Sequence, residues 1–296
     1  MYERSGPTVR GERGNVAYMR PTSLDEALSA LAARPLVVLA GGTDHYPARV
    51  GPWAKAPADE DIIDITALKP LRGFAESDAG WRIGALTTWT EVIEAALPPL
   101  FDGLKLAARE VGGAQIQNRG TVGGNLCNAS PAADGIPPLL SLDAAVELSA
   151  SGGTRRLALA DYVLGNRLTA RRPDELLSAI VVPRPRHDAR GDFLKLGARK
   201  YLVISIVMAA GVIERGADDR VAAARIAVGA CSAAAQRLPL LEQALIGASI
   251  DAHLADRVAP EHLAKLSPID DVRGDAAYRS EAALTVTRRL IARLAS

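Results

Sequence analysis

The residues best suited to chemistry in this chain lie in two glycine-rich stretches that are far apart in sequence. Residues 118–134 read Asn-Arg-Gly-Thr-Val-Gly-Gly-Asn-Leu-Cys-Asn-Ala-Ser-Pro-Ala-Ala-Asp, and residues 40–44 read Ala-Gly-Gly-Thr-Asp. Glycine lets a ligand approach the main chain closely, and successive N–H groups in such turns form a concave site for phosphate oxygens. Short polar side chains add donors and acceptors with little bulk. We therefore predict that the two stretches bind one pyrophosphate-bearing cofactor between them.

Neither stretch matches the common nucleotide-binding fingerprints. A P-loop has a lysine directly after its last glycine, and both stretches lack one. The dinucleotide fingerprint opens a helix, whereas Gly123 and Gly124 are followed by Asn-Leu-Cys-Asn-Ala-Ser-Pro, a poor helix start. An alternative is that both stretches are ordinary turns. Their occurrence together, each with polar residues around it, favours the cofactor site.

The composition excludes several classes of partner. The chain has 296 residues, enough for two or three subdomains, with 35 basic and 34 acidic residues and a net charge of +1. This balance argues against nucleic acid or an anionic membrane as the main partner, and 4% aromatic residues are too few for base stacking. The longest mostly apolar run, residues 201–213, is shorter than the roughly 20 residues of a membrane-spanning helix.

Cysteine and histidine give no sign of a metal site. The two cysteines, Cys127 and Cys231, form no Cys-x-x-Cys motif, so we predict neither a zinc finger nor an iron–sulfur cluster in this chain. Without a signal sequence, reduced thiols and a cytoplasmic location are expected. Cys127 lies inside the second stretch, where we expect a packing role. The four histidines show no metal-ligand spacing.

The sequence places regular elements directly before both stretches. A capping signal at Ser23 starts a helix with Leu24, Leu28 and Leu31 on one face, and residues 36–39 form a buried strand that leads into the first stretch. A helix is predicted over residues 100–111, just before the second stretch. Further signals predict a hairpin about residues 74–83, a helix start at Thr88, a turn of helix over 136–142, a hairpin about 145–158 and a strand over 176–182.

The last third of the chain has a different organisation. Residues 183–190 are rich in Pro, Arg and Asp, which indicates a boundary. Three strands are predicted beyond it, over residues 192–199, 204–214 and 224–232, followed by helices from residue 240 onward. Strands followed by helices are typical of an α+β domain, here a three-stranded sheet plus helices.

The motifs taken together resemble one family. They are Ala-Gly-Gly-Thr-Asp, Ile83-Gly84-Ala85, and the run from Arg119-Gly-Thr-Val-Gly-Gly-Asn through Ala-Ser-Pro to Asp134. This pattern is similar to the FAD-binding medium subunits of molybdenum hydroxylases, the xanthine dehydrogenase and carbon monoxide dehydrogenase group. The similarity extends from about residue 15 to the C-terminus, where Ala277-Tyr-Arg and Arg288-Arg resemble the family's C-terminal domain.

The resemblance implies a fold and a domain organisation. The fold is α+β, with a two-subdomain FAD-binding unit of the vanillyl-alcohol oxidase or PCMH type and a C-terminal α+β domain of the carbon monoxide dehydrogenase flavoprotein type. The FAD-binding domain would span residues 15–185, with subdomains of about 15–70 and 71–185, and the C-terminal domain residues 190–296. Residues 1–14 would be a flexible tail.

The resemblance also implies which residues bind FAD, non-covalently. The walls would be formed by Leu39, Ala40, Gly41, Gly42, Thr43 and Asp44 on one side and Thr121, Gly123, Gly124, Asn125 and Ser130 on the other. Asp44 is expected to orient its turn, because a carboxylate facing phosphate would repel it.

Five further positions matter by resemblance, and four of them have a plainer interpretation. Asp134 would accept hydrogen bonds from FAD hydroxyls, or cap the helix that follows. Val111 and Leu177 would pack on the ring system, or belong to the core. Lys195 would contact the cofactor, or be a solvated lysine on a strand. Ile204 matches a position near the isoalloxazine ring.

The resemblance finally implies partners and an electron path. A large molybdopterin subunit and a small subunit with two [2Fe–2S] clusters would complete the enzyme, as a dimer of heterotrimers. Electrons would pass from the clusters to FAD and on to NAD, a quinone or oxygen. Two alternatives stay open: a stand-alone flavin oxidase or reductase of the same fold superfamily, and a cofactor-free assembly module. The substrate is not encoded in this chain.

Overall fold

A computed structural model describes residues 17–49, 60–200 and 202–296. The tail expected over residues 1–14 lies outside these ranges. The described strands are β1 (Tyr18–Met19), β2 (Val37–Leu39), β3 (Ile62–Asp64), β4 (Phe74–Ser77), β5 (Gly80–Gly84), β6 (Ala145–Ala150), β7 (Gly153–Ala158), β8 (Val163–Gly165), β9 (Leu168–Thr169), β10 (Leu176–Pro183), β11 (Asp188–Leu196), β12 (Val207–Arg215), β13 (Val221–Gly229) and β14 (Gln236–Arg237). The described α-helices are α1 (Leu24–Ala33), α2 (Trp89–Glu94), α3 (Asp102–Glu110), α4 (Ala114–Gln117), α5 (Val122–Asn128), α6 (Ile136–Ser141), α7 (Leu159–Tyr162), α8 (Pro239–Leu245) and α9 (Ala276–Leu294).

A small parallel sheet leads into the first glycine stretch. Its described strands run in the order β1-β3-β2, and α1 packs against it through Leu28 and Leu31. The Ser23 hydroxyl accepts the N–H of Glu26, so the predicted helix start is confirmed. Because β2 ends at Leu39, the sheet fixes where the main chain of residues 40–44 points.

A five-stranded antiparallel sheet supports the second glycine stretch. Its order is β4-β5-β10-β6-β7, and both predicted hairpins are present in it. Helices α2, α3, α5 and α6 pack against one face of this sheet in a single hydrophobic core. A reciprocal capping box between Thr88 and Glu91 begins α2, as the sequence indicates.

The third sheet belongs to the last third of the chain. Its order is β11-β12-β13-β14, so the three predicted strands are joined by a two-residue strand that the sequence pattern did not reveal. Helix α9 covers this sheet with a buried stripe of Ala283, Val286, Leu290, Ile291 and Leu294. Strand β11 begins at Asp188, within the stretch predicted as a boundary.

The third sheet packs directly on the helices of the second unit. A Cβ added at Gly103 of α3 would lie 2.7 Å from the carbonyl oxygen of Asp192, and one at Gly191 would lie 2.4 Å from that of Leu100. Only glycine allows this close approach of helix to strand. The close packing brings β11 and the segment after it next to the second glycine stretch.

Candidate functional site

The two glycine stretches touch each other, as predicted. A Cβ added at Gly41 would lie 2.0 Å from the carbonyl oxygen of Arg119, and one at Gly120 would lie 3.5 Å from the Thr43 hydroxyl. Both positions therefore require the absence of a side chain. The end of β2 and the residues before α5 form one continuous surface.

The first stretch offers free main-chain donors. Gly42 has a left-handed φ of 72°, which turns the chain, and its carbonyl accepts the N–H of Tyr46 at 3.2 Å. The amides of Gly41, Gly42, Thr43 and Asp44 donate to no acceptor among the described residues. Adjacent unpaired amides in a turn form an anion-binding concavity.

The second stretch differs from the prediction, because it starts a helix. Thr121 is the N-cap of α5, and its hydroxyl accepts the N–H of Gly124 at 3.0 Å. The amides of Val122 and Gly123 donate to the carbonyls of Thr87 and Ala85, both at 2.9 Å. These amides are thus already satisfied, and the expectation that both stretches supply free amides was wrong for the second.

Packing explains why the second stretch contains glycine. A Cβ at Gly123 would lie 2.7 Å from both the Cβ and the carbonyl oxygen of Ala85, at the end of β5. Gly123 therefore lets α5 lie directly on the sheet. The threonine cap compensates for the weak helix propensity of the two glycines.

Side chains are what the second stretch presents to a ligand. The Asn125 Oδ1 atom is buried and has no hydrogen-bond donor within the part of the chain that the structure describes. A buried unpaired oxygen of this kind costs free energy unless a ligand supplies the donor. Ala129, with a left-handed φ of 45°, ends α5 and directs the chain to Ser130. Asn125 and Ser130 both line the cleft beside α5.

Asp134 and Lys195 form a buried ion pair between the second and third units. The Lys195 Nζ atom donates to Asp134 Oδ2 at 2.7 Å, and the Ser205 hydroxyl donates to Asp134 Oδ1 at 2.6 Å. The two charged side chains are 9% and 7% exposed, so the alternative of a solvated lysine was wrong. Asp134 does not cap α6 either, because Gly135 occupies that position without a side-chain cap.

Burial controls the charge state of this pair. Removal from water raises the pKa of Asp134 above its ordinary value, and the Lys195 ammonium and the Ser205 hydroxyl oppose that rise. The carboxylate keeps acceptor capacity for a further donor. It is thus a fixed acceptor at the base of a cleft.

The cleft itself has a volume of about 390 Å³. It brings together five of the positions predicted from the sequence, which are Val111, Asn125, Ser130, Asp134 and Ile204. Leu202 and Ile204, from the segment between β11 and β12, are 58% and 52% exposed although both are apolar. Exposed apolar side chains next to buried polar atoms indicate a surface that a ligand covers.

Two predicted positions lie in the core and not in the cleft wall. Leu177 on β10 is 2% exposed and packs in the core beneath α5, and Leu39 is 4% exposed at the end of β2. Their side chains support the cleft from behind. Cys127 also has an internal partner, since its Sγ atom lies 3.2 Å from the Tyr162 hydroxyl.

Two residues of the site were missed by sequence reasoning. The first is Ser205, which lies in a mostly apolar run where a single serine gives no signal. The second is Arg167, whose Nη1 atom donates to Asp44 Oδ2 at 2.9 Å and to Asn128 Oδ1 at 2.6 Å. Arg167 lies in the β8–β9 turn with a φ of 54°, and it links both glycine stretches from a third element.

Other kinds of site were also considered. Among the described residues, no group of His, Cys, Asp or Glu side chains is arranged to hold a metal ion. No helix in the described ranges combines the length and the apolarity needed to cross a bilayer.

Comparison with known proteins identifies the family. Residues 14–185 match the model of the FAD-binding domain in molybdopterin dehydrogenase, and residues 192–294 match that of the CO dehydrogenase flavoprotein C-terminal domain. The chain belongs to the molybdopterin dehydrogenase FAD-binding family. It is an oxidoreductase subunit whose cofactor is FAD, and the family resemblance found in the motifs is confirmed.

Curated relatives of this FAD-binding subunit match along nearly their whole length. The nicotinate dehydrogenase FAD-subunit of Eubacterium barkeri is 30% identical, with 92% of this chain and 94% of the relative covered. The carbon monoxide dehydrogenase medium chain of Afipia carboxidovorans is 31% identical, covering 95% and 96%. A solved structure of reconstituted CO dehydrogenase from Oligotropha carboxidovorans superimposes with a TM-score of 0.86 at 29% identity, covering 95% of this chain and 98% of that one. The mixed α and β fold predicted from the sequence is thereby confirmed.

Proposed function

We propose that this chain is the FAD-carrying electron-transfer subunit of a heteromeric molybdenum hydroxylase. It would receive electrons from the [2Fe–2S] clusters of a small partner subunit and pass them to NAD, a quinone or oxygen. A large molybdopterin subunit would carry out the hydroxylation, in a dimer of heterotrimers located in the cytoplasm. Bound FAD supplies the one- and two-electron chemistry, while the protein supplies binding, orientation and electrostatics.

One juxtaposition carries this proposal. The unpaired amides of residues 41–44 lie against the segment before α5, and the unpaired Asn125 oxygen lies in an apolar-rimmed cleft nearby. A dinucleotide requires donors for its diphosphate, acceptors for its hydroxyls and an apolar surface for its rings. The described residues provide all three, so they fit FAD.

The residues divide the cofactor between them. The amides of Gly41, Gly42, Thr43 and Asp44 would hold the diphosphate, with Ala40 placing that turn at the end of β2. Asn125, Ser130 and Asp134 would bind hydroxyl groups, and Lys195 would keep the Asp134 carboxylate charged and in place. The Val111 and Ile204 side chains would contact the ring system. The supporting positions are Leu39, Thr121, Gly123, Gly124 and Leu177.

The family-model matches support the division of the chain into two functional parts. The proposed FAD-binding domain is residues 15–185, with subdomains of about 15–70 and 71–185, and the proposed C-terminal domain is residues 190–296. Lys195 and Ile204 come from the second part and line or support the cleft of the first. Both parts are therefore needed to complete the site.

Relatives support the partner subunits. Proteins matched over nearly their whole length are named as an FAD-subunit of nicotinate dehydrogenase and as the medium chain of carbon monoxide dehydrogenase. Both names describe one chain of a larger enzyme. The two cysteines of this chain are fewer than the four thiolates that a [2Fe–2S] cluster requires, so partner chains must carry such clusters.

The test separates a subunit from a stand-alone enzyme. We expect the isolated chain to bind one FAD and to show no steady-state oxidation of nitrogen heterocycles with a dye acceptor. Native mass spectrometry of the assembly purified from its source, with molybdenum, iron and flavin analysis, should show two further subunits. Substrate turnover by the isolated chain, or an assembly without molybdenum, would contradict the proposal. A chain that binds no FAD would indicate an assembly module.

Arg167 gives a more local prediction. Changing Arg167 to Gln is expected to weaken FAD binding about tenfold, because the Asp44 carboxylate would then face the diphosphate unpaired. Fold stability should change by less than about 1 kcal/mol, since both side chains are largely exposed. Fluorescence titration of FAD and urea unfolding measure the two effects.

A double variant and a control make this prediction specific. Adding Asp44→Asn to Arg167→Gln should restore most of the affinity, because the repelling charge is gone. The nearby exposed Arg172→Gln variant should bind FAD as tightly as the unchanged chain. Equal loss of affinity in the Arg172 variant would show a general charge effect instead.

A further inference from the structure

A second cavity, of about 730 Å³, lies where the linker between β10 and β11 crosses the molecule. Its walls come from both halves of the chain: Trp81, Pro99 and Leu100 from one, Ile213 and Leu294 from the other. It shares no lining residue with the flavin cleft. It lies at the opposite end of β5, where Gly80 pairs with Pro183, whereas the other end of β5 leads to the contact of Ala85 with α5.

The cavity wall carries more positive than negative charge. Four arginines line it, against the two carboxylates of Glu76 and Asp188; they are Arg184, Arg186, Arg190 and Arg215. Arg184 pairs with Glu76 at 2.7 Å and Arg215 with Asp219 at 2.8 Å. Arg186 and Arg190 are exposed and form no salt bridge with another described residue. Two guanidinium groups are thus available for an external anion.

The same cavity has an aromatic and apolar wall. The Arg184 guanidinium carbon lies 4.5 Å from the centroid of the Trp81 ring, and that ring packs edge-on against Phe101. The indole N–H of Trp81 is buried and donates to no acceptor among the described residues. A wall of aromatic and aliphatic side chains beside fixed guanidinium groups suits a ligand with an apolar body and an anionic group.

We propose that this cavity binds a small organic anion. The apolar body would pack against Trp81, Leu100 and Ile213, and the carboxylate or phosphate group would bind Arg186 and Arg190. The uneven charge of the wall and its apolar floor both point to this chemistry, which a neutral or cationic ligand lacks. The bound ligand would contact both halves of the chain and so stabilise their packing.

The test uses the full chain loaded with FAD and isothermal titration calorimetry. Benzoate carries both an apolar ring and a carboxylate, benzamide has the ring alone, and inorganic phosphate has the charge alone. We expect saturable binding of benzoate, with benzamide and phosphate each weaker by about tenfold or more, because each lacks one half of the recognition. The flavin absorption spectrum should stay unchanged.

Variants locate the site. The Arg186→Gln, Arg190→Gln double variant is expected to weaken benzoate binding by about tenfold or more, since charge-assisted hydrogen bonds are lost. Arg289→Gln, a change at an exposed arginine on α9, should leave benzoate binding unaltered.

Four results would overturn the proposal. They are no saturable heat with benzoate, unchanged affinity in the double variant, a shift of the flavin spectrum on benzoate addition, and protection of Arg186 and Arg190 from phenylglyoxal only in the assembled enzyme. The last result would assign this face to a subunit contact.

Discussion

Replacing Gly41 with alanine is expected to abolish stoichiometric FAD binding. The added Cβ would lie 2.0 Å from the carbonyl oxygen of Arg119 and 3.0 Å from the Cα of Gly120. Because these neighbours belong to the main chain, either the first glycine stretch or the start of α5 must move. Overpacking of this kind costs about 1–3 kcal/mol or more, which corresponds to roughly tenfold to hundredfold weaker binding if the strain is relieved by displacing the FAD-binding turn.

The measurement is the flavin-to-protein ratio after gel filtration, with circular dichroism to monitor the fold. Gly152, in the turn between β6 and β7, is a matched control, since a Cβ there would meet nothing within 4 Å. Gly152→Ala should retain FAD at the level of the unchanged chain. If Gly41→Ala also retains one FAD per chain, the first stretch does not hold the cofactor.

Replacing Lys195 with methionine is expected to destabilise the fold by about 3–5 kcal/mol near neutral pH. Methionine keeps the length of the side chain, but it leaves the buried Asp134 carboxylate with only the Ser205 hydroxyl as a partner. The cost comes from an uncompensated buried charge. The double variant Lys195→Met, Asp134→Asn should recover most of the lost stability.

Urea unfolding at one fixed FAD concentration measures this effect, because bound ligand itself adds stability. Lys265→Met serves as the control, since Lys265 is exposed and should contribute little. A Lys195→Met variant within about 1 kcal/mol of the unchanged chain would contradict the importance of the pair.

The Lys195→Met variant should also gain a pH dependence. Burial already raises the pKa of Asp134, and Lys195 is the main group that opposes it, so the variant raises that pKa further. For a carboxyl with a raised pKa, the stability from its protonated form is complete below the ordinary value and is lost as the pH rises through the raised value. The variant's deficit should therefore be small at about pH 5 and full at about pH 8.

Local signals predicted the elements well but predicted their joint geometry only in part. Caps and apolar spacing located α1, α2 and the hairpins, because those signals act over a few residues. The same reasoning rejected a helix after Thr121, since it counted two glycines as helix breakers. The contact of Gly123 with Ala85, a residue almost 40 positions earlier, decides that point and is invisible to a local pattern.

The buried pair shows the same limit from another side. Alternation along β11 correctly set Lys195 apart from Leu194 and Leu196, which pack in the core of the third sheet. It could not show that the Lys195 face meets Asp134, because that contact joins two sheets across 61 positions. Arg167 and Ser205 were missed for the same reason, since their partners are 123 and 71 positions away.

The segment between β11 and β12 forms part of the cleft wall, although it belongs to the last sheet and the glycine stretches belong to the first two. The seam between the halves therefore passes through the pocket. Any molecule seated there acts as a clamp, so its binding free energy also opposes the separation of the two halves. During biogenesis, cofactor loading and the docking of the last sheet become a single thermodynamic event, and each makes the other harder to reverse.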